Sequence, residues 1–204
     1  VRLLQEVLTY QKPKVVILET DTLFQENMEG HLTSLVKTAV NYLFPVLEYH
    51  DRWKSVTLSE LMGKQQKPWH DPGKGYRYSG DRVAYKGGDY MAETKEKEEI
   101  DAIAMKSLDQ FVEICQEAGI QVMFMSANSW NMARHRAVAD YASSRNISFI
   151  DFNMKDRMKE TGFDWMTDSR DGGNHLNYSG AKKISVWLGD YLAKDYQLED
   201  HRKD

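Results

Sequence analysis

IDAIAMKSLDQFVEICQEAGIQVMFMSANSWNMARHRAVADYASSRNISFIDF, residues 100–152, carries the fold in its spacing. Ile100, Ile103, Ala104, Leu108, Phe111, Val112 and Cys115 recur at helical intervals and fall on one stripe. That stripe predicts a helix that starts at Glu93 and is stopped by Gly119. QVMFM (121–125) is a short apolar run, the pattern of a strand buried on both faces. Met132, Ala133, Val138, Tyr141 and Ala142 then predict a helix over about 131–145, and ISFIDF (147–152) is the next strand.

The flanks repeat the alternation. Upstream, a helical segment ends near Tyr10, Pro13 punctuates the connection, and KVVIL (14–18) is a third apolar, β-branched strand. Leu32, Leu35, Val36, Ala39, Val40 and Leu43 predict a helix over 31–48. Downstream, Ile184, Trp187, Leu188, Tyr191 and Leu192 predict a last helix from near Ser179. Strands that alternate with helices predict an α/β fold, a parallel sheet with helices on both faces. Such sheets receive ligands at the carboxyl ends of their strands. The chain opens as though inside a helix, and three strands make a thin sheet, so the first strands are expected upstream of Val1. Residues 1–204 read as a single domain, with a long irregular excursion at 49–92 that contains six glycines and two prolines.

Composition excludes several classes. With 41% hydrophobic and 28% charged residues, the 204-residue chain is neither disordered nor collagen-like. Lys and Arg number 27 against 31 Asp and Glu, a net charge of −4, which argues against nucleic-acid binding through a cationic surface. The single Cys115 excludes an internal disulfide and a cysteine-based zinc cluster. No apolar run approaches the ~20 residues that cross a bilayer. The acidic run ETKEKEEID (93–101) is expected to form the solvated first turns of a helix, where the backbone dipole favours acids.

Chemistry concentrates in TDSRDGGNHLNYSGAKKISVWLGDYL, residues 167–192. His175 sits in the loop before the last helix, with Asp171 four residues earlier and Asp168 seven earlier. A histidine that takes a proton from a nucleophile needs its other ring nitrogen held by a carboxylate. Either aspartate could hold it, and Gly172 and Gly173 would let the loop turn tightly enough. A plainer alternative is loop and cap chemistry, with Asn177 or Ser179 capping the helix. Ser126, Asn128 and Ser129 follow the strand QVMFM at its carboxyl end, where they could line a pocket. Neither serine has the Gly-x-Ser-x-Gly setting of a nucleophile elbow.

In the 49–92 excursion, Trp53, Trp69, Tyr76, Tyr78 and Tyr85 lie among Arg52, His70, Arg77 and Arg82. Such a set suits a carbohydrate surface, and equally suits pinning a long loop to its domain. His50, Asp51, His70 and Asp71 match known metal-ligand spacing poorly, so no metal is expected.

The stretch GNHLNYSGAKKISVWLGDYL (173–192) resembles the C-terminal block of the SGNH (GDSL-like) hydrolase superfamily, in which an Asp and a His precede the final helix. KPKVVILET, QVMFMSANSW and ISFIDFN are similar to later strands of its flavodoxin-like, three-layer α/β/α fold. The likeness is to the bacterial cell-envelope branch associated with acyl transfer to polysaccharides. It implies a serine esterase or O-acyltransferase acting on acylated carbohydrate, outside the cell or in its envelope, with no cofactor. His175 would be the general base and Asp171 its orienting partner; Asn128, at the carboxyl end of its strand, and Arg52 and Trp53, in the aromatic excursion, are the residues expected to contact substrate. The family spacing is Asp-x-x-His, and here Gly172 holds that aspartate's place. No Gly-Asp-Ser block occurs, and Glu19-Thr20-Asp21, where the family carries an asparagine, has none. The resemblance therefore places the serine upstream of Val1. Its alternative is a catalytically inactive carbohydrate-binding module.

Overall fold

The structure, a computed structural model, describes residues 1–24, 76–89, 91–127 and 131–199. Two compact units make up the chain, residues 1–24 with 78–204 and residues 25–77. The helix expected over 31–48 lies outside the described residues, as do Arg52, Trp53 and Asn128.

Three strands, β1 (Val15–Glu19), β2 (Gln121–Ser126) and β3 (Ser148–Asp151), form a parallel sheet in the order β1-β2-β3. Ile17 pairs with Met123, and Met125 with both Glu19 and Ile150. Five described helices surround it: α1 (Arg2–Tyr10), α2 (Ala102–Glu117), α3 (Met132–Ser144), α4 (Lys155–Thr161) and α5 (Tyr178–Asp195). A short 3-10 turn, Asp21–Phe24, follows β1.

Alternation along the strands divides the core in two. Leu18, Val122, Phe124 and Phe149 point to one face and pack against Leu108 and Val112 of α2 and Val138 and Ala142 of α3. Val15, Ile17, Met123 and Ile150 point to the other and meet Met158 of α4 and Ile184, Trp187 and Leu188 of α5. Leu4 and Leu8 of α1 close a third cluster around Cys115 and Ile120. Phe124 and Val112 lose all their solvent exposure, and burial of such a side chain stabilises by roughly 1.5–3 kcal/mol.

The acidic run departs from the expectation that it begins a helix. Residues 93–100 are irregular and α2 starts at Ala102, because the Asp101 carboxylate accepts hydrogen bonds from the N–H groups of Ile103 (2.8 Å) and Ala104. That cap fixes the helix start at the end of the charge run, two turns or more beyond Glu93. The charges instead follow α3: Glu93 meets Arg136 at 3.1 Å, Lys97 pairs with Asp140, and Glu98 holds Arg134 at 3.0 Å. Ile100 is buried beside them. Among the described residues the other expected helices keep their places, with Asn131 capping α3 through Arg134 N–H and Asn177 capping α5 through Gly180 N–H. Helix α4 stands where the sequence reads as loop.

Candidate active site

The loop between α4 and α5 is built in layers. Asp168, fully buried, anchors its base: one carboxylate oxygen takes the Lys183 ammonium at 2.7 Å and the Asp164 N–H at 2.8 Å. Burial pushes the Asp168 carboxyl up, but hydrogen bonds from Lys183, Asp164 and Ser179 outweigh it and hold the group below the usual carboxylate range. Asp168 thus ties the loop to α5, and of the two aspartates weighed for His175 it is the one engaged elsewhere.

Ser169 shapes the next turn. Its hydroxyl accepts the N–H groups of Gly173 (2.7 Å) and Asp171 (3.3 Å) and donates to the carbonyl of His175. The backbone closes the same turn, with Arg170 N–H on the His175 carbonyl and Asn177 N–H on that of Asp168. Gly172 and Gly173 take φ values of +85° and +123°, the left-handed region. A Cβ at Gly173 would also lie 2.6 Å from the ring of Tyr85.

Within this turn Asp171 and His175 meet. One Asp171 oxygen accepts the backbone N–H of His175 (2.8 Å) and of Asn174 (3.1 Å), and the other takes the His175 Nδ1. Burial raises the Asp171 carboxyl, but its contacts with His175 and Asn174 prevail and leave it below the usual range. An ionised carboxylate on Nδ1 fixes the ring so that Nε2 is the free nitrogen. Among the described residues Nε2 takes no partner, and the His175 side chain is 56% exposed. The pair can therefore accept or release a proton at Nε2 towards a group arriving from solvent.

Part of the 49–92 excursion buttresses the loop. Ser79 O accepts from Tyr178 N–H, Asp81 O from the Asn177 side chain, and the N–H groups of Val83 and Tyr85 reach the carbonyls of Ser169 and Trp165. Tyr85 is partly buried against the hydrophobic cluster that Leu176 also meets, so it pins the segment, whereas Tyr78 is exposed against Tyr178.

Two further polar groups at the carboxyl ends of the strands escaped the sequence. His135 Nδ1 lies 2.8 Å from buried Asp151, whose other oxygen accepts the N–H and the side-chain amide of Asn153. That amide also reaches Ser126, which is fully buried and so out of contact with solvent; Ser129 lies outside the described residues. An aspartate closing the strand ISFID was the available signal. Glu19, at the end of β1, is the other. Desolvation dominates its environment, and with the Asp21 charge it overrides the hydrogen bond from Asp21 N–H, so the carboxyl is pushed up to about 7.

No protein-family model, no curated protein and no solved structure matches the chain. Among the described residues no group of three or more His, Cys, Asp or Glu is arranged to hold a metal ion, and no helix is long and apolar enough to cross a membrane.

The Glu19 shift has a consequence for stability. The folded chain favours the protonated form, so its contribution is whole below the ordinary carboxyl value of 4.5 and is lost as the pH rises through about 7. The ceiling is about 3 kcal/mol. Glu19 is only half-buried, so screening by water leaves about 1–2 kcal/mol. Urea melts at about pH 5 and about pH 8 should show wild type losing that amount and Glu19→Gln losing none of it.

Proposed function

We propose that this chain carries the acid–base part of a serine esterase or O-acyltransferase of the SGNH type, which acts on acylated carbohydrate of the cell envelope. The observation that carries it is the His175–Asp171 pair, with Nδ1 held by a carboxylate and Nε2 without a partner among the described residues. It stands in the last loop before the last helix of a parallel α/β sheet. The strand order β1-β2-β3, with helices on both faces, suits the later half of a flavodoxin-like, three-layer architecture.

The chemistry follows from the free nitrogen. A serine hydroxyl, expected upstream of Val1, gives its proton to His175 Nε2 as its oxygen attacks the ester carbonyl. The resulting imidazolium is stabilised by Asp171, which remains ionised, and then returns the proton to the departing sugar oxygen. Water or a second sugar hydroxyl takes the acyl group in the next step, with His175 again the base. Arg52, Trp53 and Asn128 are proposed to contact the carbohydrate.

Replacement of Asp171 by asparagine tests the assignment. It preserves size but reverses the tautomer that the ring must hold, and turnover of 4-nitrophenyl acetate by the full-length protein should fall about 10³- to 10⁴-fold. Unchanged turnover would overturn the role of Asp171. One feature favours the second reading, an inactive carbohydrate-binding module: the aspartate is four residues from His175 rather than the family's three. Saturable glycan binding by a full-length protein with no esterase activity would select it.

A further inference from the structure

Two aromatic rings stand in solvent beside the loop that bears His175. Tyr78 and Tyr178 are 68% and 47% exposed, with ring centroids 5.4 Å apart and planes tilted by 47°. Folding does not account for them. The segment that carries Tyr78 is already tied down by its backbone: Ser79 O accepts the Tyr178 N–H at 2.8 Å, Asp81 O accepts the Asn177 amide at 3.1 Å, and the Val83 N–H reaches Ser169 O at 2.9 Å. An aromatic ring stabilises a fold through the area it buries, and rings this exposed bury little.

Short contacts join the pair to the His175 turn. Tyr178 is the first residue of α5, three after His175. Between them, buried Asn177 donates its amide to Asp81 O and, at 3.4 Å, to Ser169 O. Ser169 in turn holds the His175 carbonyl through its hydroxyl at 3.2 Å. The Tyr78 ring is seated as well. A Cβ at Gly80 would lie 3.2 Å from the Tyr78 hydroxyl, so bare backbone passes beside the tip of the ring. Asp81 adds an exposed polar edge: its Oδ2 accepts the Ser79 hydroxyl at 3.1 Å, and its Oδ1 takes no hydrogen bond among the described residues.

We infer that Tyr78, Tyr178 and Asp81 form a subsite for one uncharged sugar ring of the ester substrate. This rests on the acylated-carbohydrate reading above and gives the sugar a place among the described residues. A pyranose presents a face of C–H bonds and a rim of hydroxyls. The face packs on the electron-rich faces of the tyrosines, and a rim hydroxyl donates to the Asp81 carboxylate, which can only accept. An acidic sugar would bring its own carboxylate against Asp81, so the subsite selects a neutral ring. Exposed aromatic pairs also suit proline-rich peptides, but a prolyl backbone has no N–H to offer the open Asp81 oxygen.

The test measures binding by saturation-transfer NMR and turnover by steady-state kinetics on the full-length protein. The probes are neutral and uronic-acid oligosaccharides, free and acetylated, and a decaproline peptide. A neutral oligosaccharide should bind saturably. Tyr78→Ala and Tyr178→Ala should each raise its Kd, and the KM of its acetylated form, about 10-fold. Tyr178→Phe should restore both values, and Asp81→Ala should weaken neutral binding. Both rings are exposed and the Tyr178 N–H is backbone, so these variants keep the fold, which a thermal melt checks. Tyr10→Ala, at an exposed tyrosine of α1, is the control and should match wild type. The subsite is overturned if no neutral oligosaccharide binds, if Kd is equal in wild type and both tyrosine-to-alanine variants, or if uronic-acid chains or decaproline bind in preference. The two readings fail separately. If 4-nitrophenyl acetate turnover survives in His175→Ala while neutral glycan binding still needs the tyrosines, the acid–base reading falls and the subsite stands. If turnover needs His175 but Kd ignores the tyrosines, the subsite alone falls.

Discussion

Alanine at position 175 is expected to lower ester turnover by about 10⁴-fold or more, equivalent to about 5 kcal/mol of transition-state stabilisation. The size follows from what is lost. Without an imidazole no group in the turn can take the serine proton, because Asp171 is held below the usual carboxylate range and is a poor base at neutral pH. The fold should survive. The His175 side chain is more than half exposed and has Asp171 as its one side-chain partner among the described residues, while Asp171 keeps the backbone N–H groups of residues 174 and 175. Steady-state kinetics beside a thermal melt separates the two effects: turnover should collapse while the midpoint moves by no more than a few degrees. A collapse of both would make His175 a structural residue.

The largest loss of stability is expected at Lys183. Lys183→Ala leaves the Asp168 carboxylate fully buried, with the Asp164 N–H and the Ser179 hydroxyl but no cation. Breaking a buried pair from one side costs about 3–5 kcal/mol, since the remaining charge keeps its desolvation penalty. The Lys183 side chain is itself partly exposed, which places the expected loss near about 3 kcal/mol. Denaturant unfolding at neutral pH checks it. Lys183→Met in an Asp168→Asn background should recover most of that loss, because neither variant then strands a charge. The consequence reaches the site, since Asp168 holds the base of the loop on which Asp171 and His175 sit.

Legibility in the sequence followed the kind of force involved. β1, β2, β3, α3 and α5 lie within a residue or two of where apolar periodicity places them, because burial of a stripe or a run is written directly in residue spacing. The start of α2 was misplaced because helix propensity in ETKEKEEI lost to two things the spacing does not show. One is the Asp101 cap, and the other is the set of ion pairs that draws the run along α3. Helix α4, seven residues long with no fully buried side chain, offers too short a pattern to read.

The site divides the same way. Asp171 and His175 are four residues apart and meet within one turn, so a local pattern could name both. The choice between Asp171 and Asp168 needed the third dimension, because it is decided by Lys183, fifteen residues on. The buttress from Ser79 to Tyr85 and the His135–Asp151 pair join segments far apart in the chain, and no spacing encodes them. Glu19 is conspicuous only once its burial at the end of β1 is known.

The most direct test is labelling of the full-length protein, with whatever precedes Val1, by a fluorophosphonate probe, followed by mapping of the modified residue by mass spectrometry. The expected result is one labelled serine upstream of Val1, with labelling lost in His175→Ala and strongly reduced in Asp171→Asn. Full labelling of the His175→Ala protein, or none of the wild type, would contradict an acid–base role for this pair.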